Sequence, residues 1–130
     1  QAGFTAGTPW LHVNPNYRTI NVAAEQADPD SVLCYYQKLL ALRQSDAWHS
    51  LFVGGSTVPV GTDRHGLFAY ERRGEGRRVL VAANLSAQSL RLPLDGVPGD
   101  TLLDNLRAAA RVENGALVLD SCEAAVLALR

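Results

Sequence analysis

Carboxylates are the most numerous side chains in this sequence that could do acid–base chemistry. The chain holds 13 Asp and Glu residues, and acid–base enzymes need such groups aimed together at one reacting bond. The acids are dispersed along the chain, and the densest cluster is Glu25, Asp28 and Asp30. We explain this cluster by helix capping and by the helix dipole, which favours negative charge in a first turn. We expect the following acids to be solvated charges: Asp63, Glu71, Glu75, Asp100 and Asp104.

The other reactive side chains are also scattered. His12, His49 and His65 lie far apart and have no acidic or cysteine partners at ligand spacing, so we expect no metal site and no cofactor. Cys34 and Cys122 form no CxxC motif; free thiols serving as small apolar residues are favoured, and a single structural bridge stays open. No GxSxG nucleophile motif occurs. The sequence therefore assigns no catalytic residue.

The elements that carry these residues fall into three stretches. Residues 1–28 hold turn and breaker signals at Gly7-Thr8-Pro9 and Asn14-Pro15-Asn16, which predict a long ordered loop that packs on a neighbour. A helix is predicted over 29–45, with Asp28 as N-cap and Pro29 at the first helical position. Its apolar residues recur at helical spacing. They are Val32, Leu33, Tyr36, Leu39, Leu40 and Leu42.

From residue 47 onward the hydrophobic period drops to two and turn signals recur about every eight to twelve residues. Seven short strands are predicted, at 56–60, 67–72, 79–85, 89–92, 101–105, 117–120 and 124–129. Gly74-Glu75-Gly76 and Asn114-Gly115 are expected to be hairpin turns, and 96–99 a break. The spacing is typical of an antiparallel β-sandwich. The apolar run over 79–83 predicts its central strand.

Composition limits the classes of function. The chain has 130 residues, with 12 Lys and Arg against 13 Asp and Glu, a net charge of −1. This balance gives no electrostatic basis for binding nucleic acid or an anionic membrane. Apolar residues make up 47% of the chain and charged residues 19%, as in ordinary globular domains. No apolar run approaches the roughly 18 residues of a membrane span. We expect a soluble, cytoplasmic protein.

One stretch carries a specific resemblance. Its residues are Gly3-Phe4-Thr5, Gly7, Pro9-Trp10, Val13-Asn14-Pro15-Asn16-Tyr17, Ile20-Asn21-Val22, Asp28-Pro29-Asp30-Ser31-Val32, Tyr35-Tyr36-Gln37-Lys38-Leu39 and Leu42-Arg43. This ordered string resembles α-glucosidases of glycoside hydrolase family 13, the α-amylase family, in the branch of oligo-1,6-glucosidases, trehalose-6-phosphate hydrolases and sucrose isomerases. A weaker resemblance over 54–130 rests on the strand with Ala69-Tyr70-Glu71-Arg72 and on the strand that ends in Asn84-Leu85-Ser86.

The resemblance implies a mainly β fold. Residues 1–46 would be the end of a catalytic (β/α)8 barrel, its last loop and helix, and residues 47–130 an antiparallel C-terminal β-sandwich. Retaining glycosidases use two carboxyl groups about 5 to 5.5 Å apart. The resemblance places these groups on barrel strands upstream of residue 1, so the chain alone is expected to be inactive. Its expected partner is that barrel, joined covalently or held as a nicked fragment.

The implied activity of the parent enzyme is retaining hydrolysis of α-glucosidic bonds in oligosaccharides. A sucrose isomerase, trehalose synthase or trehalose-6-phosphate hydrolase parent stays open, as does a non-catalytic carbohydrate-binding sandwich. The scarcity of aromatics counts against a carbohydrate-binding sandwich, since residues 54–130 hold only Phe68 and Tyr70.

Aromatic side chains are candidates for carbohydrate binding, because sugar rings stack on them. The resemblance places Trp10 and Tyr17 near the rim of the active-site face, which makes them candidate substrate-binding residues, although packing against the barrel is favoured. Trp48 is expected to wedge between barrel and sandwich. The pairs Arg72-Arg73 and Arg77-Arg78 are expected to form a solvated hairpin tip.

Overall fold

A computed structural model describes residues 2–106 and 108–130. The chain divides into two compact units, the first ending at Lys38 and the second beginning at Leu39. This division lies within a helix, eight residues before the predicted domain boundary between residues 46 and 47. Each unit is described by itself below.

The first unit contains short helices where the sequence predicted a loop. A single-turn 3₁₀ helix spans Pro15–Arg18, helix α1 spans Val22–Ala27, and helix α2, Val32–Gln44, begins in this unit. Asn21 caps α1, because its side-chain oxygen accepts a hydrogen bond from the Ala24 amide at 2.9 Å. The prediction of irregular structure up to residue 28 is therefore wrong for α1. A helix of six residues is too short to show a helical period.

The predicted helix over 29–45 is confirmed, but it begins later and has a different cap. The Ser31 hydroxyl accepts a hydrogen bond from the Cys34 amide at 3.2 Å, which is the geometry of an N-cap. Asp28 instead accepts a hydrogen bond from the Asp30 amide at 2.9 Å and closes the turn between α1 and α2. The prediction that Asp28 is the cap is wrong, since its own amide still donates to the Glu25 carbonyl of α1.

The second unit is an antiparallel β-sandwich, which confirms the predicted fold class. One sheet has five strands in the order β1-β2-β3-β8-β5, and the other has three in the order β4-β7-β6. The strands are β1 Ser56–Pro59, β2 Leu67–Gly74, β3 Arg77–Asn84, β4 Leu90–Pro93, β5 Pro98–Asp104, β6 Arg111–Glu113, β7 Ala116–Leu119 and β8 Ala124–Leu129. The predicted central strand is β3, at the middle of the larger sheet.

Each of the seven predicted strands has an observed counterpart, and the sequence missed one strand. The missed strand is β6, whose three residues are too few to show a period. Strand β5 starts at Pro98, inside the predicted break over 96–99. The chain pairs there with its own end, because Val97 and Arg130 exchange backbone hydrogen bonds at 2.9 and 3.2 Å. Proline is tolerated because β5 is an edge strand.

The two hairpin turns have the predicted form. Glu75 and Gly76, between β2 and β3, have φ angles of 53° and 69°. Asn114 and Gly115, between β6 and β7, have φ angles of 50° and 72°. Two successive left-handed residues define the type I′ turn, whose twist matches that of antiparallel strands. Both hairpin predictions are confirmed.

The larger sheet is buried on both faces. Its inner face packs against the smaller sheet through Leu80, Ala82, Leu92, Leu117, Leu119 and Leu127. On the outer face, Val79 and Val126 pack with Leu51 of helix α3, His49–Gly54, and with Leu42, Trp48 and Phe52. The sequence missed α3, because its run of apolar residues has the length of a strand. A short helix and the end of α2 therefore cover the outer face.

The apolar face of α2 is covered only in part. Leu42 packs on the outer core of the sandwich. Val32, Tyr36 and Leu40 remain 71%, 58% and 48% exposed. Side chains of this kind leave a surface that is suited to a partner.

The junction between α3 and β2 supplies a matched test of the packing. A Cβ atom added to Gly55 would lie 2.5 Å from the Leu51 carbonyl oxygen and 2.9 Å from that of Arg73, whereas one added to Gly54 meets nothing within 4 Å. We expect Gly55→Ala to lower the free energy of unfolding by about 1–3 kcal/mol, because the two carbonyl oxygens belong to the backbone and cannot move away from the added methyl group. Gly54→Ala, on the last residue of the helix, should be neutral or stabilising. Urea denaturation compares the two, and equal effects would contradict this packing.

Candidate functional site

The first unit carries an aromatic cleft of about 510 Å³. Its walls include Phe4, Trp10, Leu11, His12, Tyr17 and Ile20. The structure thus brings the two candidate residues Trp10 and Tyr17 to one cleft. Trp10 is 91% exposed, as is Phe4. Indole and phenyl faces this open provide flat apolar surfaces for a ligand or a packing partner.

Asparagine side chains fix the backbone around Tyr17. Asn14 accepts a hydrogen bond from the Asn16 amide at 3.2 Å and so caps the 3₁₀ helix. Asn21 donates from Nδ2 to the Tyr17 carbonyl oxygen at 3.1 Å. Arg18 donates from Nε to the Tyr17 hydroxyl at 3.4 Å, with its guanidinium carbon 5.8 Å from the centre of the ring. These contacts hold Tyr17 half-buried on one wall of the cleft.

The cleft can bind a ligand or a partner through apolar contacts and hydrogen bonds, and its described lining offers no carboxylate as acid or base. As far as the described residues go, no Asp or Glu lines it. Its polar lining comes from side chains such as Thr5, His12, Asn14 and Asn16, which can donate or accept hydrogen bonds. Aromatic faces with a few polar groups suit a sugar ring or an apolar protein surface equally well.

The acidic cluster beside the helices has a structural role. Glu25 accepts a hydrogen bond through Oε2 from the Leu33 amide at 3.2 Å, in the first turn of α2. Its backbone carbonyl accepts one from the Ser31 hydroxyl at 2.6 Å. Asp28 accepts from the Asp30 amide in the intervening turn, and Glu25 satisfies a free amide at the helix start. The predicted capping role is confirmed for Glu25.

An enclosed group of ion pairs lies in the sandwich and centres on Glu71, whose side chain is 3% exposed. Its Oε2 accepts hydrogen bonds from Arg73 Nε at 2.7 Å and from Arg78 Nε at 3.0 Å. Its Oε1 accepts one from Arg78 Nη2 at 2.9 Å. Burial acts to raise the pKa of Glu71, but the hydrogen bonds and charges of Arg78 and Arg73 outweigh it and hold the pKa below its ordinary value.

This geometry corrects two sequence predictions. Glu71 is not a solvated charge, and Arg73 and Arg78 do not belong to a solvated tip. The signal was available in the alternation along β2, which places Glu71 on the same face as the buried Ala69. An acid on a core face requires a cationic partner. A carboxylate held ionised by two guanidinium groups is unsuited to act as a general acid, so it is a structural anchor.

The other two arginines of this hairpin fasten helix α3 to the sheet. Arg72 donates from Nη2 to the Phe52 carbonyl oxygen at 3.1 Å and also bonds to the Thr57 hydroxyl. Arg77 donates to the Ser50 hydroxyl at 3.1 Å and places its guanidinium carbon 5.6 Å from the centre of the Trp48 ring. The predicted solvated tip is therefore wrong for these residues too.

The remaining reactive side chains are not gathered into a site. Among residues 2–106 and 108–130, no three His, Cys, Asp or Glu side chains are placed to hold a metal ion. Both cysteines are free, but Cys122 is exposed and does not serve as a small core residue. Asp63 and Asp100 are exposed, as predicted. No helix in the described part of the chain is long and apolar enough to cross a membrane.

Two family profiles match the sequence. Residues 1–51 match the family described as "Alpha amylase, catalytic domain", and residues 54–126 match "Domain of unknown function (DUF3459)". The chain belongs to the α-amylase family, glycoside hydrolase family 13. The resemblance of its first residues to this family is thereby confirmed. Together the two profiles extend over the aromatic cleft, the helices and most of the sandwich.

Similar proteins include two 1,6-glucosidases and an isomaltulose synthase. The chain is 40% identical over 116 residues to a glucan 1,6-α-glucosidase of Streptococcus pneumoniae serotype 4, covering 89% of the chain and 21% of that protein. It is 45% identical over 89 residues to an oligo-1,6-glucosidase of Heyndrickxia coagulans, covering 68% and 16%. The crystal structure of isomaltulose synthase from Klebsiella sp. LX3 superposes with a TM-score of 0.87 at 34% identity, covering 99% and 23%. The chain thus spans about a fifth of the length of these proteins.

Removing the buried carboxylate tests its role as an anchor of this α-amylase-family sandwich. We expect Glu71→Gln to lower the free energy of unfolding at neutral pH by about 3 kcal/mol, because two arginines lose a buried partner. The folded-state pKa of Glu71 is lowered, so its contribution is full above the ordinary pKa and is lost as the pH falls through the folded-state value.

The stability gap between wild type and Glu71→Gln should therefore shrink in acid. Urea denaturation across a pH series measures it. Glu75→Gln is the matched control, because Glu75 pairs with Arg77 at the exposed end of the same hairpin and should have little effect. A gap that stays constant at every pH, or an equal effect of Glu75→Gln, would show that Glu71 is no ionised anchor.

Proposed function

We propose that these residues form the C-terminal part of an α-glucosidase that hydrolyses α-glucosidic bonds in oligosaccharides by a retaining mechanism. In this proposal the catalytic carboxylates belong to a barrel outside residues 1–130. Residues 1–46 complete that barrel and residues 47–130 form its attached sandwich. Two relatives named as 1,6-glucosidases, at 40% and 45% identity, support the activity and the substrate class.

One observation carries the proposal: the first unit exposes a large apolar surface. The side chains concerned are 58–91% exposed, and they are Phe4, Trp10, Leu11, Ile20, Val22, Val32 and Tyr36. Such surfaces in water mark an interaction site. The match of residues 1–51 to a catalytic-domain profile supports the rest of the barrel as the partner that covers this surface.

The described acids support a structural role for this part of the enzyme. Retaining glycosidases need a nucleophile and a general acid about 5 to 5.5 Å apart on two sides of the scissile bond. Glu25 is engaged in capping α2, and Glu71 is enclosed by two arginines. Neither carboxylate meets those requirements. The chain therefore shapes and stabilises the catalytic barrel and leaves the chemistry to it.

Trp10 and Tyr17 fit this proposal as packing residues. Their cleft has aromatic walls and no carboxylate among its described lining, which suits an apolar surface of the barrel. Direct stacking on a sugar ring at the rim of the active site is the alternative for the same two residues. The two roles differ in what a substitution changes, substrate affinity or stability.

A sucrose isomerase is the second candidate for the parent enzyme. The observation that favours it is the superposition on isomaltulose synthase, which covers 99% of the chain with a TM-score of 0.87. A free-standing carbohydrate-binding sandwich is less well supported. Residues 54–130 hold only the aromatics Phe68 and Tyr70, whose rings meet edge to face at 5.7 Å and so form no flat platform for a sugar.

A chimaeric enzyme tests the proposal. The matching C-terminal segment of the oligo-1,6-glucosidase of Heyndrickxia coagulans is replaced by residues 1–130 of this chain. We expect the chimaera to hydrolyse isomaltose, because the barrel supplies the acids, and the separate chain to be inactive. Hydrolysis of a chromogenic α-glucoside by the separate chain would overturn the proposal. So would a folded chimaera without activity.

Within the same chimaera, two aromatic substitutions separate packing from sugar contact. We expect Trp10→Ala to lower the melting temperature while KM for isomaltose stays unchanged, because a buried indole stabilises the barrel. Phe68→Ala, on the sandwich, is the control and should change neither quantity. A raised KM at unchanged melting temperature would instead assign Trp10 to the substrate. Thermal denaturation and initial-rate kinetics supply the two readouts.

A further inference from the structure

The tip of the β6–β7 hairpin combines two residues with a reactivity of their own. Asn114 and Gly115 are both exposed. We propose that Asn114-Gly115 is a site of spontaneous deamidation, at which the Asn114 side chain is converted through a cyclic imide into aspartate and isoaspartate. The reaction needs only water, and it is independent of the reaction that the parent enzyme catalyses.

The attacking atom is the backbone nitrogen of Gly115. A Cβ atom added to Gly115 would meet nothing within 4 Å, so neighbouring atoms do not crowd this residue. Glycine also lacks the side chain that hinders such an attack at other residues. Among the six asparagines of the sequence, Asn114 is the one that precedes glycine.

Formation and hydrolysis of the imide require neither an oxidant nor a catalyst. The Gly115 nitrogen forms a bond to Cγ of Asn114, the bond from Cγ to Nδ2 breaks, and Nδ2 leaves as ammonia with the proton of the Gly115 amide. Water then opens the five-membered imide at either carbonyl. Opening at one carbonyl leaves aspartate in the normal main chain, and opening at the other leaves isoaspartate. Because the attacking amide must lose its proton, the rate rises with pH.

Three of the other asparagines, Asn14, Asn84 and Asn105, are protected. Asn14 precedes Pro15, which has no amide proton to lose. Asn84 is 1% exposed, and its Nδ2 donates to the Gln88 and Asp120 carbonyls at 2.7 and 2.8 Å. Asn105 is exposed but held at both ends, donating to the Cys122 carbonyl at 3.0 Å and accepting from the Ala124 amide at 2.7 Å.

The type I′ turn opposes the reaction until it opens. The Gly115 carbonyl accepts a hydrogen bond from the Leu94 amide at 2.9 Å, and this bond restrains the peptide group that follows the reacting one. Strand β6, however, has three residues and lies at the edge of a three-stranded sheet. Short edge strands open locally at low cost in free energy. We therefore infer that deamidation proceeds through local opening of this hairpin, more slowly than in the unfolded chain.

Isoaspartate at this position would loosen the smaller sheet. It adds one carbon to the main chain inside a two-residue turn, so Glu113 can no longer pair with Ala116 in the present register. It also places a second carboxylate beside Glu113, which pairs with Arg91 at 2.9 Å. Val112 of β6 packs against the inner core, so detachment of β6 exposes that core.

Ageing of the intact chain tests the proposal. The purified chain is incubated for weeks in mildly alkaline buffer, digested and mapped by mass spectrometry, with isoaspartate labelled by isoaspartyl methyltransferase. The peptide that contains Asn114 should convert to aspartate and isoaspartate, and take up the methyl label, at least about tenfold faster than the peptide that contains Asn105. The reason is that the Asn105 side chain is held by two hydrogen bonds, whereas the Asn114 hairpin opens locally. Its rate should rise with pH and rise further in urea.

Two results would overturn the inference. One is an Asn114 peptide that keeps its amide while the Asn105 peptide converts at the same rate or faster. The other is a rate that does not respond to pH. Asn114→Gln removes the five-membered ring and should abolish the label at this position. Because the wild-type chain carries its own internal comparison, the outcome does not depend on the folding of that variant.

Discussion

A carboxylate that must remain ionised in the interior of the sandwich sets the arrangement of its largest hairpin. Glu71 is buried on the inner face of β2, and its three charge-assisted hydrogen bonds come from Arg73 on the same strand and Arg78 on β3. Arg78 also donates to the Asp95 carbonyl at 2.6 Å, beyond β4. One buried charge thereby joins β2 and β3 to the loop that leads from β4 to β5. The neighbouring arginines of the same hairpin point to the other face and hold α3 over the outer core.

A layer of helices covers one side of the sandwich because the outer face of the larger sheet would otherwise lie open to water. The inner face of the larger sheet is satisfied by the smaller sheet, but Val79 and Val126 on the outer face have no third sheet to pack on. Helix α3 and the end of α2 provide that layer. Gly55 allows the end of α3 to approach β2 so closely that a methyl group would not fit. Helix α3 and the end of α2 are thus part of the sandwich unit, which begins at Leu39.

Sequence reasoning succeeded where a pattern repeats over many residues. The alternation along β2 and β3, the helical spacing of α2 and the Asn-Gly dipeptide predicted these elements correctly. It failed where one long-range partner decides the outcome. Nothing local marks Arg130 as the residue that pairs with Val97 and extends β5 through Pro98, or shows that α1 and α3 are helices of six residues. Glu71 was misjudged for another reason: the alternation along β2 marks it as a core-facing position, and its partners Arg73 and Arg78 lie in the same hairpin.

The candidate site shows the same limit. The sequence identified Trp10 and Tyr17 singly, and the structure places them on one cleft whose backbone is fixed by Asn14 and Asn21. The exposed aromatic and aliphatic side chains of the first unit form the surface that we propose a catalytic barrel covers. The most direct test mixes the purified chain with the separately expressed barrel portion of the Heyndrickxia coagulans oligo-1,6-glucosidase and follows elution and isomaltose hydrolysis together. Co-elution with hydrolysis confined to the joint peak is predicted; separate elution, with full activity in the barrel peak alone, would contradict the account.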